Sequence, residues 1–113
     1  LNNKTEGLVN KKLLQLMKKT AMLINTSRGK IINEKDLLYF LKNKKIGGAA
    51  LDIINGEWLS KKKLKIHKLI IHQKKNDNLI IVPHLGGSTF ESIYGAREHI
   101  CKILISKLKK GLL

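Results

Sequence analysis

The chain alternates short apolar runs with segments of helical periodicity. Three of the apolar runs are short and unbroken, namely residues 21–25 (AMLIN), 46–54 (IGGAALDII, with Asp52 near its end) and 78–83 (NLIIVP). Continuous apolar runs of this length are typical of parallel strands that are buried on both faces of a sheet. The pattern therefore predicts three buried strands.

Between these runs, apolar residues recur at spacings of three and four, which is typical of amphipathic helices. Asn10 and Asn33 precede two such segments, and asparagine is a favoured N-cap residue. A third and longer helical segment begins at Ser88 or Thr89. The lysine-rich stretch 58–78 is compatible with either a short helix or an irregular loop.

Strands that alternate with helices predict an α/β fold with a parallel sheet and flanking helices. In such sheets, ligands bind at the carboxyl ends of the strands. Polar side chains stand at all three predicted ends: Thr26, Ser27 and Arg28 after the first strand, Asp52 on the second and His84 after the third. We expect these residues to share one edge of the sheet.

Two of these side chains have open interpretations from the residues alone. His84 could accept a proton from a hydroxyl group, because imidazole titrates near neutral pH. From the residue alone, a turn histidine bonded to the backbone is the favoured interpretation. Arg28 could hold a carboxylate through two hydrogen bonds, or it could cap the strand or pair with a surface acid. Glu57, on the loop after the second strand, could hold the imidazole in place.

Composition narrows the classes of function only partly. The chain has 23 Lys and Arg against 8 acidic residues, a net charge of +15, which by itself favours a nucleic-acid partner. The lysines are scattered, however, and aromatic residues make up only 4% of the chain, so platforms for stacking bases are scarce. We therefore expect no nucleic-acid partner.

The sequence also bears on membrane insertion, cellular compartment and metal binding. No apolar run approaches the roughly 20 residues of a membrane-spanning helix. Cys101 is the single cysteine, which excludes an internal disulfide and fits a reducing compartment, so we expect a cytoplasmic protein. The four histidines lack metal-ligand spacing, and no metal site is expected.

Two long blocks carry a family resemblance. Residues 5–57 and 78–89 contain INTSRG, GAALD and PHLGG in that order, and they resemble the D-isomer-specific 2-hydroxyacid dehydrogenases, which include phosphoglycerate, glycerate, lactate and formate dehydrogenases. The resemblance implies a partial Rossmann-like sheet and an NAD cofactor, with NADP not excluded. It also implies hydride transfer between that cofactor and a small D-2-hydroxy or 2-oxo acid.

The same resemblance assigns roles to single residues. It makes His84 the group that exchanges the substrate's proton, Glu57 its acidic partner and Arg28 the holder of the substrate carboxylate. It places four residues at the cofactor: Thr26, Ser27, Asp52 and Gly86. Trp58 departs from the family pattern, in which a proline commonly follows the glutamate.

The resemblance also bears on domain organisation. It implies that residues 1–113 are the C-terminal half of a dinucleotide-binding domain, without the glycine-rich GxGxxG turn. We expect residues 88–113 to form a long helix that returns toward a missing substrate domain. We expect the isolated chain to be inactive, and a homodimer for the full-length protein. Two alternatives stay open: a catalytically silent module that binds through its basic surface, and a non-functional remnant of the same fold.

Overall fold

The computed structural model describes residues 1–56 and 60–110. Within them, three strands form a parallel sheet in the order β1-β2-β3: β1 is Met22–Asn25, β2 is Gly48–Leu51 and β3 is Leu79–Ile81. All three predicted strands are present, although each is shorter than its apolar run. The α/β fold class and the parallel sheet are confirmed.

The helices occupy the segments between and after the strands. They are α1 (Lys11–Leu14), α2 (Glu34–Lys42), α3 (Lys61–Lys65), α4 (Lys68–Gln73) and α5 (Phe90–Lys109), with a 3-10 turn at Gly29–Ile31. The Asn10 and Asn33 side chains accept hydrogen bonds from the first turns of α1 and α2, and Thr89 does the same for α5. The three predicted starts are therefore confirmed. The ambiguous lysine-rich stretch contains two short helices, α3 and α4.

The hydrophobic core lies between one face of the sheet and the helices α1, α2 and α4. Its most deeply buried large side chains are Leu14, Leu37, Leu41, Ile46 and Leu69. The strands contribute Ala49, Leu51 and Leu79 to the same cluster. This core supports the sheet on one face, below the carboxyl edge where the predicted site residues lie.

The opposite face of the sheet is open within residues 1–56 and 60–110. Met22 is 54% exposed, Ile24 is 70% exposed and Ile80 is 56% exposed. Successive side chains of a strand point to opposite faces, and the described helices that bury side chains cover only one of those faces. The prediction that the strands are covered on both faces is therefore wrong for this structure.

The long helix α5 stands apart from this core. It has 20 residues, and none of them is buried. Phe90 and Tyr94 stack on each other at its start, with ring centroids 4.1 Å apart. Among the described residues, no helix is long and apolar enough to cross a membrane.

Candidate active site at the carboxyl edge of the sheet

The strand register brings the three carboxyl ends side by side. Asn25 at the end of β1 pairs with Leu51 at the end of β2, and Leu51 pairs with Ile81 at the end of β3. The pairing continues past β2, because the Asp52 amide donates to the Asn25 carbonyl at 2.9 Å. The turn after β1, Asp52 and the loop after β3 therefore form one continuous edge, as the sequence predicts.

The turn that carries Arg28 is built by Asn25. The buried Asn25 Oδ1 accepts hydrogen bonds from the Ser27 amide at 3.0 Å and the Ser27 hydroxyl at 2.7 Å. Its Nδ2 donates to the Arg28 carbonyl at 3.1 Å. The Thr26 and Arg28 side chains stay exposed. One buried amide thus sets the course of the chain that presents Arg28.

The Arg28 guanidinium lies over its own turn. Its Nη1 donates to the Ser27 carbonyl at 2.7 Å. Within the parts of the chain that the structure describes, Arg28 makes no ion pair. Pairing with a described surface acid, one of the two non-catalytic interpretations, therefore does not account for this arginine.

Asp52 holds the loop that carries His84. Its Oδ1 accepts a hydrogen bond from the Leu85 amide at 2.6 Å, and its Oδ2 accepts one from the Gly86 amide at 2.8 Å. The side chain is buried, with 6% exposure. Hydrogen bonds to a charged acceptor are short and strong. The buried carboxylate therefore fastens this loop to the end of β2.

Gly86 leaves room for the Asp52 carboxylate beside the loop. A Cβ atom placed on Gly86 would lie 2.5 Å from Asp52 Oδ2, which is closer than real Cβ atoms come to other atoms. A side chain at Gly86 would therefore displace the Asp52 carboxylate from the two loop amides whose hydrogen bonds it accepts. Contact of Gly86 with a cofactor stays a prediction.

His84 occupies an unusual backbone conformation within this loop. Its φ angle is 53°, in the left-handed region that few residues other than glycine adopt. Its amide donates to the Asp52 carbonyl at 2.9 Å and to the Val82 carbonyl at 3.0 Å. Residues kept in such regions by their surroundings cluster at functional sites. His84 also takes part in at least one further interaction.

An open cavity of about 610 Å³ lies beside His84. Asp52, His84, Gln73 and Ser88 supply its polar wall. The rest of the lining is apolar: Ile53, Ile54, Leu64, Ile70, Ile81, Val82 and Pro83. A mostly apolar cavity with a few convergent polar groups is the usual form of a small-molecule site.

A second polar cluster stands behind the loop that follows Asp52. Glu34 Oε1 accepts the Asn55 amide at 2.7 Å, and Glu34 Oε2 lies 3.2 Å from His67 Nε2. Burial raises the pKa of the Glu34 carboxyl above its usual value, and the Asn55 and His67 contacts oppose that rise. Sequence reasoning missed this cluster, because no spacing along the chain links Glu34, Asn55 and His67.

His72 is buried, with 6% exposure, and has a structural role. Its Nε2 is 2.9 Å from Asn78 Oδ1, and its Nδ1 is 3.2 Å from Asn76 Nδ2. Asn78 in turn donates to the Leu41 carbonyl at 3.0 Å. The Nε2 contact thus connects α4 through Asn78 with α2, and the Nδ1 contact holds the turn between α4 and β3. No metal-binding group of three or more His, Cys, Asp or Glu residues occurs among the described residues.

Most of the predicted site residues are therefore brought together. Thr26, Ser27 and Arg28 share one turn, which is hydrogen-bonded through Asn25 to the Asp52 backbone, and Asp52 holds the loop of His84 and Gly86. Glu57 lies outside the described residues, so its predicted contact with His84 stays a prediction. Asn25 was missed by sequence reasoning, although a polar residue that closes an apolar run is a signal that could have found it.

Comparison with protein families shows which family the chain belongs to. Residues 1–86 match the family described as "D-isomer specific 2-hydroxyacid dehydrogenase, NAD binding domain". The chain belongs to this family. The family resemblance and the cofactor class expected from the sequence are confirmed at that level.

Individual relatives agree with this affiliation. The chain is 37% identical over 111 residues to a glyoxylate reductase of Pyrococcus horikoshii, covering 98% of this chain and 30% of that protein. It superimposes on the NAD-complexed D-isomer specific 2-hydroxyacid dehydrogenase of Lactobacillus delbrueckii ssp. bulgaricus with a TM-score of 0.82 and 31% identity, covering 98% of this chain and 35% of that one.

A second solved structure is similar to nearly the whole chain. This is the D-lactate dehydrogenase of Aquifex aeolicus complexed with NAD and lactic acid, with a TM-score of 0.76 and 28% identity, covering 99% of this chain and 35% of that one. The chain thus spans about a third of the length of the relatives that it matches.

The residues present are compatible with the nicotinamide end of the family's cofactor. The cavity beside His84 is walled mainly by apolar side chains, which suits a planar ring. Asp52 uses one acceptor position on each carboxylate oxygen for the loop, and a carboxylate has about four such positions. A hydrogen bond from the cofactor to Asp52 is therefore compatible with the grip on the loop.

Proposed function

We propose that this chain is the portion of an NAD-dependent D-2-hydroxyacid dehydrogenase that carries the reacting groups. It corresponds to the C-terminal half of the dinucleotide-binding domain and acts on a small 2-hydroxy or 2-oxo acid. The observation that carries the proposal is the Asp52 carboxylate gripping the His84 loop at the edge that Arg28 shares. NAD, when bound, supplies the hydride-accepting ring.

The roles of the side chains follow from their chemistry. His84 takes the hydroxyl proton of the 2-hydroxy acid during oxidation and returns it during reduction. Arg28 holds the substrate carboxylate with its planar guanidinium, which is free of ion pairs in the described part of the chain. Glu57 orients the His84 ring. Thr26, Ser27, Asp52 and Gly86 line the cofactor side of this edge.

The proposal also accounts for two exposed apolar surfaces of the chain. The open sheet face around Ile24 and the unburied helix α5 are apolar surfaces of the kind that pack against further protein. In this proposal, residues 88–113 return toward a substrate domain outside this chain. The isolated chain is then inactive, the working protein is a cytoplasmic homodimer, and the +15 charge is not a nucleic-acid footprint.

A chimera tests the catalytic assignment. The 113 residues replace the matching third of the Lactobacillus delbrueckii enzyme, and turnover of 2-oxo acids with NADH is measured. We expect His84→Asn to lower kcat about 10²–10⁴-fold, the usual contribution of a general acid or base. We expect Arg28→Lys chiefly to raise KM, because lysine cannot hold a carboxylate with a planar fork.

Asp77→Asn is the control, because Asp77 lies exposed in the turn before β3, away from both the site and α5. Its chimera should keep the parent activity. A chimera that binds NADH and retains full turnover with His84→Asn would contradict the proposal. Steep, salt-dependent retention of the 113-residue chain on DNA or RNA would favour the basic binding module instead.

A further inference from the structure

Beyond the edge itself, two independent contacts hold residues 53–56, the segment that leads from Asp52 toward Glu57. The first is a backbone contact with the Arg28 turn. A Cβ on Gly29, the residue after Arg28, would overlap the Ile54 carbonyl carbon and the Asn55 nitrogen. The two backbones therefore touch directly, which only glycine at position 29 permits.

The second contact is the Glu34 carboxylate. Its Oε1 accepts the Asn55 amide at 2.7 Å from the first residue of α2. Asn55 is thus pinned between a charged acceptor on α2 and the close approach of Gly29. Hydrogen bonds to a charged acceptor are roughly twice as strong as neutral ones, so this bond is well suited to fixing a loop.

His67 orients that carboxylate. Its Nε2 lies 3.2 Å from Glu34 Oε2, and both side chains are mostly buried, with 15% and 18% exposure. His67 is also the N-cap residue of α4. Among the described residues its buried Nδ1 has no hydrogen-bond partner, so the contact with Glu34 is the polar contact that sets the direction of the ring. The Glu34 carboxylate therefore links α2, α4 and the segment 53–56.

We propose that Glu34 is a positioning residue of the site: oriented by His67, its carboxylate fixes residues 53–56 against the Arg28 turn. Glu34 touches no reacting group in this scheme and acts through the backbone of Asn55. Its effect is to set the spacing between the turn that presents Arg28 and the segment 53–56, which directly precedes Glu57 in the sequence. The proposal deepens the proposed function, because that spacing matters only if both residues serve one reaction.

Amide exchange in the 113-residue chain tests the mechanical part of the proposal without any activity. We expect Glu34→Ala to accelerate exchange of the Asn55 amide about tenfold, since a bond to a charged acceptor is lost. Glu34→Gln keeps an oxygen acceptor at that position and should restore most of the protection. The amide resonances of Arg28 and Gly29 should shift in Glu34→Ala, because they rest on the same backbone contact.

Two controls separate positioning from general loosening. Ile46→Val thins the core at the amino edge of the sheet and should leave the Arg28 and Asn55 resonances in place. Glu98→Gln removes an exposed ion pair on α5 and should change neither. If Glu34→Ala fails to fold, His67→Ala replaces it; this variant keeps the Asn55 bond but frees the carboxylate, and should give a smaller acceleration.

The two proposals fail separately. Unchanged exchange at Asn55 in Glu34→Ala, or equally fast exchange in Glu34→Gln, would overturn the positioning role whatever the chimera does. In the chimera we expect Glu34→Ala to lower kcat for the 2-oxo acid at least about threefold, with NADH binding unchanged and Glu34→Gln restoring turnover. A chimera that loses turnover in Glu34→Ala while exchange stays normal would likewise overturn it. Retention of full turnover in His84→Asn would overturn the catalytic assignment alone.

Discussion

Helices α2 and α5 are both amphipathic, yet they occupy opposite environments. α2 has nine residues, of which Leu37, Leu38, Phe40 and Leu41 are buried in the hydrophobic core. α5 has twenty residues and buries none of them. A periodic apolar face thus predicts a helix, but it does not predict what covers that face. The boundary between the two regions falls just after Gly86, the last residue that Asp52 holds.

The largest expected effect contrasts the two apolar faces. Leu37→Ala should lower the free energy of unfolding by about 2–5 kcal/mol, because it opens a cavity at a fully buried position. Leu104→Ala on α5 should change it by less than about 0.5 kcal/mol, as for other surface positions. Urea denaturation followed by circular dichroism measures both. Equal losses would show that α5 is packed in solution.

Substitutions of two glycines test where the packed region ends and the exposed helix α5 begins. Gly86→Ala should cost about 1–3 kcal/mol, because the new methyl group collides with Asp52 Oδ2. Gly95→Ala, in the middle of α5, meets no atom within 4 Å and should stabilise the helix by up to about 1 kcal/mol. The same denaturation curves give both values. A neutral Gly86→Ala would mean that the loop is not held by Asp52 in solution.

Asp52→Asn tests the grip without adding volume. An asparagine can accept only one of the two loop amides and turns a donor toward the other, so we expect a loss of about 1–2 kcal/mol. Amide exchange should accelerate at Leu85 and Gly86 while the α5 amides stay as they are. Asp77→Asn, at an exposed position, serves as the control. Uniform acceleration along the whole chain would contradict a local role.

The smallest expected effect is a dependence of the unfolding free energy on pH that arises at Glu34, in the packed part of the chain. Burial raises the pKa of Glu34 above 4.5, so the folded chain binds a proton that the unfolded chain has released. The contribution of Glu34 to stability is therefore fully present below pH 4.5 and is lost as the pH rises through the raised pKa. His67 faces this carboxyl from α4, and Glu6, Lys30 and Lys35 line the adjoining cavity.

Glu34→Gln removes this dependence, because an amide does not titrate. The difference in unfolding free energy between wild type and variant should drift with pH. We expect the wild type to lose stability relative to the variant as the pH rises from 4.5. Urea denaturation at several pH values measures this difference. Glu98→Gln, on exposed α5, should show no such drift. A drift in the opposite direction would mean that the His67 and Asn55 contacts outweigh burial at Glu34.

Much of the fold follows from local chemistry. The caps at Asn10 and Asn33 and the three apolar runs are properties of short segments, so their helices and strands were predictable. The carboxyl-edge placement of Arg28, Asp52 and His84 was predictable as well, because parallel strands end on one edge. The strand ends were less predictable, since strand length depends on pairing with neighbours: the 46–54 run contains only Gly48–Leu51 as β2.

The roles of Asn25, Glu34 and His67 could not be predicted in the same way. Their partners depend on atoms that meet only after folding, such as Glu34 Oε1 with an amide 21 positions away. The purpose of Gly86 also changed for this reason. The sequence predicts that Gly86 lines the cofactor. The structure adds a second reason for glycine at this position, because the Asp52 carboxylate lies where a Cβ atom would be.

The amino-acid sequence by itself determined the α/β fold class, the parallel order of elements, the family and the edge at which the chemistry gathers. These depend on periodicity, caps and the order of motifs, all of which are written along one chain. Only the tertiary structure decided that Asp52 fastens the His84 loop, that Glu34 pins Asn55, and that α5 and one sheet face are exposed. Hydrogen-bond partners and burial are properties of distances in space, and residues 33 or 34 positions apart become neighbours only when the sheet has formed.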